Sequence, residues 1–207
     1  MKKVLNLYAG IGGNRKYWED VEVTAVEYNE EIANVYQHFF PNDNVIVDDA
    51  HEYLAKNWRN FDFIWSSPPC QSHSKVRMMA SKGGSYDTVM PDMKLWAEII
   101  FLQNFTKNTN IKFVVENVKP YYEPFVKPSL KLGRHLFWTN FDIPVIDIKD
   151  GLTHNERGSS EKGYFDLREF KMKHRKDQII RNCVDPNVGK YIFDIVNKIN
   201  YEREKIS

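Results

Sequence analysis

Through the first two thirds of the chain, short apolar runs alternate with stretches of helical periodicity, the pattern of successive βαβ units in a mostly parallel sheet. Strands are predicted at 4–8, 21–28, 45–48, 61–66, 113–118 and 136–141. Between the second and third, Asn29 is placed to cap a helix, and Glu30 and Glu31 suit its positive end. Ile32, Val35, Tyr36 and Phe39 give that helix one apolar face. A second helix follows Pro91, with Met93, Trp96, Ile99 and Ile100 on one side. A third opens at Asp185-Pro186 and runs towards Tyr201 on Val188, Tyr191, Ile192, Ile195, Val196 and Ile199. Residues 68–90 and 143–176 fit no regular element, and loops of that length in a compact domain are usually functional or disordered. The first of them begins where a strand ends, which is the ligand side of an open α/β sheet.

Composition narrows the class. A chain of 207 residues falls between one and two domains of about 150 residues, and reads as one compact domain with a small appendage. Apolar residues at 42% and charged residues at 28% exclude wholesale disorder. No apolar run approaches the roughly 18 residues of a membrane span, and glycines interrupt the first apolar run too early for a signal peptide, so a cytoplasmic protein is expected. Cys70 and Cys183 have neither the number of a disulfide framework nor metal-ligand spacing, so no metal is expected. A net charge of +1 advertises no nucleic-acid or membrane partner by itself. Local charge does more: Lys75, Arg77 and Lys82 lie in an acid-free stretch, and Lys171, Lys173, Arg175, Lys176 and Arg181 face only Asp177. Both runs read either as phosphate contacts or as solvated faces.

The first strand runs into Tyr8-Ala9-Gly10-Ile11-Gly12-Gly13, where glycines let a backbone approach a ligand closely. Arg15 stands where the dinucleotide fingerprint has its third glycine, which argues against a pyrophosphate grip of that type. Glu27 closes the second strand at the spacing of a carboxylate that takes both hydroxyls of an adenosine ribose. An adenosine-containing cofactor is the expectation, with Tyr8 and Tyr28 sandwiching the adenine and Asp49 meeting its amino group. An acid at the end of a parallel strand also reads as a cap for the next helix, an alternative for Glu27 and an equally good reading for Asp49.

The fourth strand delivers Ser66-Ser67-Pro68-Pro69-Cys70-Gln71. Two prolines stiffen the chain just before the thiol, and the residues after it are polar, so Cys70 reads as a nucleophile with Lys75 and Arg77 expected to favour its thiolate. Cys183 reads as structural. The fifth strand carries Glu116 inside an apolar run, where burial is expected to favour the neutral acid. A thiol and a protonatable carboxyl at adjacent strand ends, beside an adenosine pocket, suggest covalent activation of an electrophilic ring followed by group transfer.

Pro69-Cys70-Gln71 and Glu116-Asn117-Val118, in that order after Tyr8-Ala9-Gly10-Ile11-Gly12-Gly13 and Glu27, resemble the signature motifs of the cytosine C5-specific DNA methyltransferases. So do Pro91-Asp92-Met93-Lys94-Leu95, Arg134 in its Gly-Arg-His-Leu setting, and Arg181-Asn182-Cys183-Val184 before the last helix. The resemblance implies an α/β, Rossmann-like fold with helices on both faces of the sheet, S-adenosylmethionine as cofactor, and double-stranded DNA as partner. It implies catalytic roles for Cys70, Glu116 and Arg134, and a cofactor site of Tyr8, Gly10, Gly12, Gly13, Glu27, Tyr28, Asp49, Pro69, Asn182 and Val184. The cysteine would attack C6 of a flipped cytosine while the glutamate engages N3. A catalytic domain is expected over 1–142, a very small target-recognition region over 143–177, and a C-terminal segment packing back over 178–207. Sequence readout is then expected to be short or supplied by a partner protein, and the resemblance implies a compact enzyme of the kind expected in phages and prophages without a paired endonuclease. His135 stands where the family's arginine-rich spacing continues. An RNA substrate and an inactive DNA- or protein-binding homologue are the alternatives.

Overall fold

In the computed structural model, residues 1–144 and 164–204 are described. Five strands, β1 (Lys2–Leu7), β2 (Val21–Glu27), β3 (Asn44–Val47), β4 (Phe63–Ser66) and β5 (Lys112–Val118), pair in parallel. Two more, β6 (Leu130–Leu132) and β7 (His135–Thr139), form a hairpin whose β7 runs antiparallel to β5. The order β3-β2-β1-β4-β5-β7-β6 is that of a doubly wound, Rossmann-like sheet. The helices are α1 (Glu30–Phe39), α2 (Ala50–Asn57), α3 (Lys75–Lys82), α4 (Lys94–Phe105), α5 (Lys176–Asn182) and α6 (Pro186–Glu204).

The two faces of the sheet explain its sequence. Strand side chains alternate between faces, so in β4 Phe63 and Trp65 join one apolar cluster and Ile64 the other. The first cluster takes in Trp18 and the face of α6 made by Val188, Ile192, Phe193 and Val196, with the Trp18 and Phe193 rings stacked at 5.1 Å. The second is closed by Leu54 of α2 and by Leu95, Trp96, Ile99 and Leu102 of α4. Strands covered on both faces read as continuous apolar runs, and β5 is buried at every position but Val118. A third cluster packs Phe165, Leu167 and Ile179 against Val35 and Phe39 of α1.

The fold agrees with the α/β expectation in type and order, and departs from it in detail. Met93 and Ile100, expected on the buried face of the helix after Pro91, are about half exposed. Residues 68–90 are not wholly irregular, since Ser74 caps α3, a helix with no buried side chain. Apolar periodicity has nothing to detect in such a helix. The β6 strand was too short to be seen as a run, and Gly133, with φ of 55°, makes its tight turn into β7. Of the expected recognition region, residues 145–163 lie outside the described residues.

Gly189 shows how closely α6 meets the turn after β1. A Cβ there would lie 2.7 Å from Cα of Asn14, and its carbonyl accepts the Trp18 indole N–H at 3.1 Å. Gly189→Ala is therefore expected to lower stability by about 1–3 kcal/mol, the usual cost of overpacking. In a thermal or denaturant melt, Gly83→Ala should stay within about 0.5 kcal/mol of the parent, because its added Cβ meets nothing nearer than 3.6 Å.

Candidate active site

Strand order reverses at β1, with β2 and β3 on one side and β4 and β5 on the other. The chain leaving the C-terminal ends of β1 and β4 therefore diverges and opens a crevice. A cleft of about 750 Å³ lies there, and both groups of sequence-predicted residues line it.

One half is built from the β1 turn and the end of β2. Tyr8 and Gly10 sit at φ of 54° and 55°. The N–H of Gly10 donates to Oε2 of Glu27 at 3.0 Å, and the N–H of Asn29 donates to Oε1 at 2.9 Å. Both oxygens are thus fixed, and each keeps a further lone pair. A Cβ on Gly10 would meet nothing within 4 Å, so the turn presents bare backbone to open space. At Gly13 a Cβ would come within 2.5 Å of the Val184 carbonyl oxygen, which presses the turn against the cleft-lining segment of Asn182 and Val184.

Gly12 does not line the cleft, contrary to expectation; its missing Cβ makes room for the rings of Tyr36 and Phe40. Arg15 turns away from the cleft. It pairs with Asp43 at 2.9 Å and lies over the Phe40 ring.

Tyr8 and Tyr28 both line the cleft, Tyr28 at an exposed rim. Asp49 lines it too, yet its carboxylate is engaged: Oδ1 accepts from the N–H groups of His51 and Glu52, and Oδ2 takes Nζ of Lys94 at 2.9 Å. The Lys94 ammonium holds this carboxyl below its ordinary range. Of the two readings of Asp49, the helix cap is the one its geometry supports.

Under this half lies a residue the sequence reading missed. Glu98 of α4 is 1% exposed and accepts from Tyr8 Oη at 2.5 Å and Ser66 Oγ at 2.7 Å, with His51 Nδ1 at 3.0 Å. Burial beside this carboxylate pushes the Tyr8 phenol far up, so it remains a donor. The signal was available: Glu98 is the lone acid in Leu95-Trp96-Ala97-Glu98-Ile99-Ile100, the same anomaly that singled out Glu116.

The other half is built from the ends of β4 and β5 and the start of β7. The Cys70 carbonyl accepts from the N–H groups of His73 and Ser74, both at 3.0 Å. Asn117 Nδ2 donates to the Pro68 carbonyl at 2.8 Å and ties the proline segment to β5. Pro69, Cys70, Glu116 and Arg134 share the cleft wall. Burial pushes the Cys70 thiol up, the Glu116 carboxylate adds to that, and the Arg134 guanidinium opposes it. Lys75 and Arg77 are not the activating cations expected. Neither lines the cleft, and the Arg77 guanidinium lies 4.3 Å from the Tyr86 ring centroid. Cys183 points its thiol at the Ile179 carbonyl, and burial pushes it up to about 12, as suits a structural cysteine.

A family model of the C-5 cytosine-specific DNA methylases matches residues 2–124, more than half of the chain. The chain belongs to this family. It is 30% identical over 133 residues to the tRNA (cytosine(38)-C(5))-methyltransferase of Spodoptera frugiperda, covering 60% of this chain and 38% of that protein. A crystal structure of a DNMT2 mutant from the same species matches at 30% identity and TM-score 0.40, over 57% of this chain and 36% of that one. A putative DNA modification methyltransferase from an E. coli prophage matches at 21% identity and TM-score 0.39, over 59% and 34%. The chain thus spans well under half the length of these relatives. Among the described residues no cluster of metal-ligating side chains occurs, and no helix is long and apolar enough to cross a membrane.

Two outcomes are expected. Alkylation of Cys70 by iodoacetamide should be slower in Arg134→Ala, which removes the opposing cation, and faster in Glu116→Gln, followed by peptide mass spectrometry at one pH. His51 is raised from 6.5, chiefly because it bonds to Glu98. A raised histidine contributes stability below its unfolded value and loses that contribution as pH climbs through the folded one. The melting-temperature advantage of the parent over His51→Gln should therefore shrink as pH rises from about 6 to about 9.

Proposed function

We propose that this chain methylates C5 of cytosine in DNA, with S-adenosylmethionine as the methyl donor and Cys70 as the covalent nucleophile. The observation that carries the reading is one cleft lined both by Gly10 and Glu27 and by Cys70, Glu116 and Arg134. Its volume of about 750 Å³ is within the range of roughly 300–1,000 Å³ for small-molecule sites. A carboxylate oriented by two backbone N–H groups beside bare glycine backbone fits the ribose of an adenosine group. When bound, S-adenosylmethionine supplies an electrophilic methyl group. Glu27 would hold the ribose hydroxyls, and Asn182 and Val184 would close the wall behind it.

On the other side, the Cys70 thiolate adds to C6 of the base while the Glu116 carboxyl engages N3. Electron density moves to C5, which takes the methyl group; loss of the C5 proton and expulsion of the thiolate restore the ring. Arg134 favours the thiolate against burial. A base inside a duplex exposes neither face, so the cytosine must leave the stack to reach Cys70. Residues 171–181, with their excess of basic side chains, would carry phosphate contacts, and binding should weaken steeply with salt.

A second reading, RNA as the substrate, is favoured by one finding: the relative that is 30% identical is a tRNA methyltransferase. Transfer of labelled methyl groups to duplex DNA and to tRNA, run side by side, distinguishes the two. Transfer to DNA is expected, and transfer to tRNA alone would move the chain to the second reading. Cys70→Ser should retain the fold and cofactor binding and lose transfer by about 10³-fold or more. Glu27→Ala should weaken S-adenosylmethionine binding by about tenfold, roughly the loss of one charge-assisted hydrogen bond. An unchanged dissociation constant would remove Glu27 from the site.

A further inference from the structure

His135 is the one titratable side chain that lines the cleft beside Glu116 and is not yet accounted for. It begins β7, opposite Val118 of β5, and its Nε2 lies 3.7 Å from Oε1 of Glu116. The imidazole is only 22% exposed and the carboxyl 9%. The groups facing this pair are few: the Cys70 thiol from the β4 exit, and the Arg134 guanidinium from the chain just before β7. Arg134 Nη2 reaches instead towards the Arg181 carbonyl, at 3.4 Å.

We propose that His135 is a positioning residue for Glu116, a proton relay that delivers to its carboxyl the proton the base-facing role requires. At 3.7 Å the pair stands just outside hydrogen-bond reach, so the ring and carboxyl must first close on one another; the Nε2–H bond of the imidazolium then breaks, an Oε1–H bond forms on Glu116, and a charged pair becomes a neutral one. Seating a base over the pair excludes water, and exclusion of water penalises the charged forms, so occupancy drives the proton from ring to carboxyl. Burial weakens the ring's hold on a proton, with Arg134 acting the same way and the Glu116 carboxylate opposing, so a proton taken up by the ring is readily passed on. A permanently charged arginine in this place would hold a carboxylate in place but could not hand it a proton.

The proposal rests on the assigned role of Glu116, and two measurements separate the failure of one from the failure of the other. The first needs no substrate. In histidine-labelled protein followed by NMR, the His135 titration should shift to lower pH in Glu116→Gln, since the carboxylate that favours the charged ring is gone. Superimposable curves for the two proteins would overturn the relay. The second is the pH dependence of methyl transfer. In His135→Gln the rate at neutral pH should fall by roughly tenfold or more and recover as pH is lowered, because solvent can then protonate Glu116 directly. A merely structural role would lower the rate by the same factor at every pH, and that parallel profile would also overturn the relay. If the parent transfers no methyl group to either nucleic acid while the NMR coupling is present, the coupling stands and the reading of the reaction falls.

Discussion

A buried carboxylate holds the cleft in shape. Glu98 sits beneath the place where β1 and β4 part, with donors from the β1 exit (Tyr8) and the β4 end (Ser66), and the His51 ring of α2 beside it. An ionised carboxylate taken out of water is costly unless its lone pairs are engaged. That requirement pins three separate pieces of chain to one point of α4. The Tyr8 ring is fixed as a cleft wall, and the residue it belongs to starts the turn that brings Gly10 to Glu27. Ser66 begins the stiff segment that ends in Cys70. The two halves of the cleft are therefore not independent, since both start from partners of the same carboxylate.

The electrostatics of the two halves differ. Around Glu27 the arrangement is fixed: backbone N–H groups meet both oxygens, and nothing in the contact depends on a proton. Around Cys70 the balance is labile. Burial and the Glu116 carboxylate hold the thiol in its neutral form, one guanidinium opposes them, and a histidine stands at the carboxyl's edge. A thiol held in its neutral form is a weaker nucleophile than its thiolate, so the charges around it set its reactivity. In the proposed reaction, binding falls to the rigid half and chemistry to the half whose protonation can move.

Much of this was legible in the order of residues. The parallel strands, the Asn29 cap of α1, the α6 face and the convergence of Cys70, Glu116, Glu27 and Gly10 all follow from periodicity and from acids or glycines in unusual places. What escaped notice had physical reasons. The helix α3 buries nothing, so it has no apolar stripe. The activating cation at Cys70 was sought among its sequence neighbours, whereas Arg134 arrives from the β6–β7 hairpin, far along the chain. Gly12 is expected in the cofactor turn from its place among Gly10 and Gly13, whereas its missing Cβ makes room for the Tyr36 and Phe40 rings. Glu98 carried the same signal as Glu116 in a helix instead of a strand, where a buried acid is harder to distinguish from one facing solvent.

The central claim is that a base is attacked by the Cys70 thiol in this cleft, and trapping with 5-fluorocytosine tests it most directly. Fluorine at C5 cannot leave as a proton, so an attacked and methylated base stays joined to the enzyme. The protein should be incubated with S-adenosylmethionine and nucleic acid carrying the analogue, as duplex DNA and as tRNA, and the adduct digested and mapped. The account predicts a stable adduct on the peptide that contains Cys70, absent from Cys70→Ser. An adduct on Cys183, one that survives in Cys70→Ser, or none with either nucleic acid would contradict it.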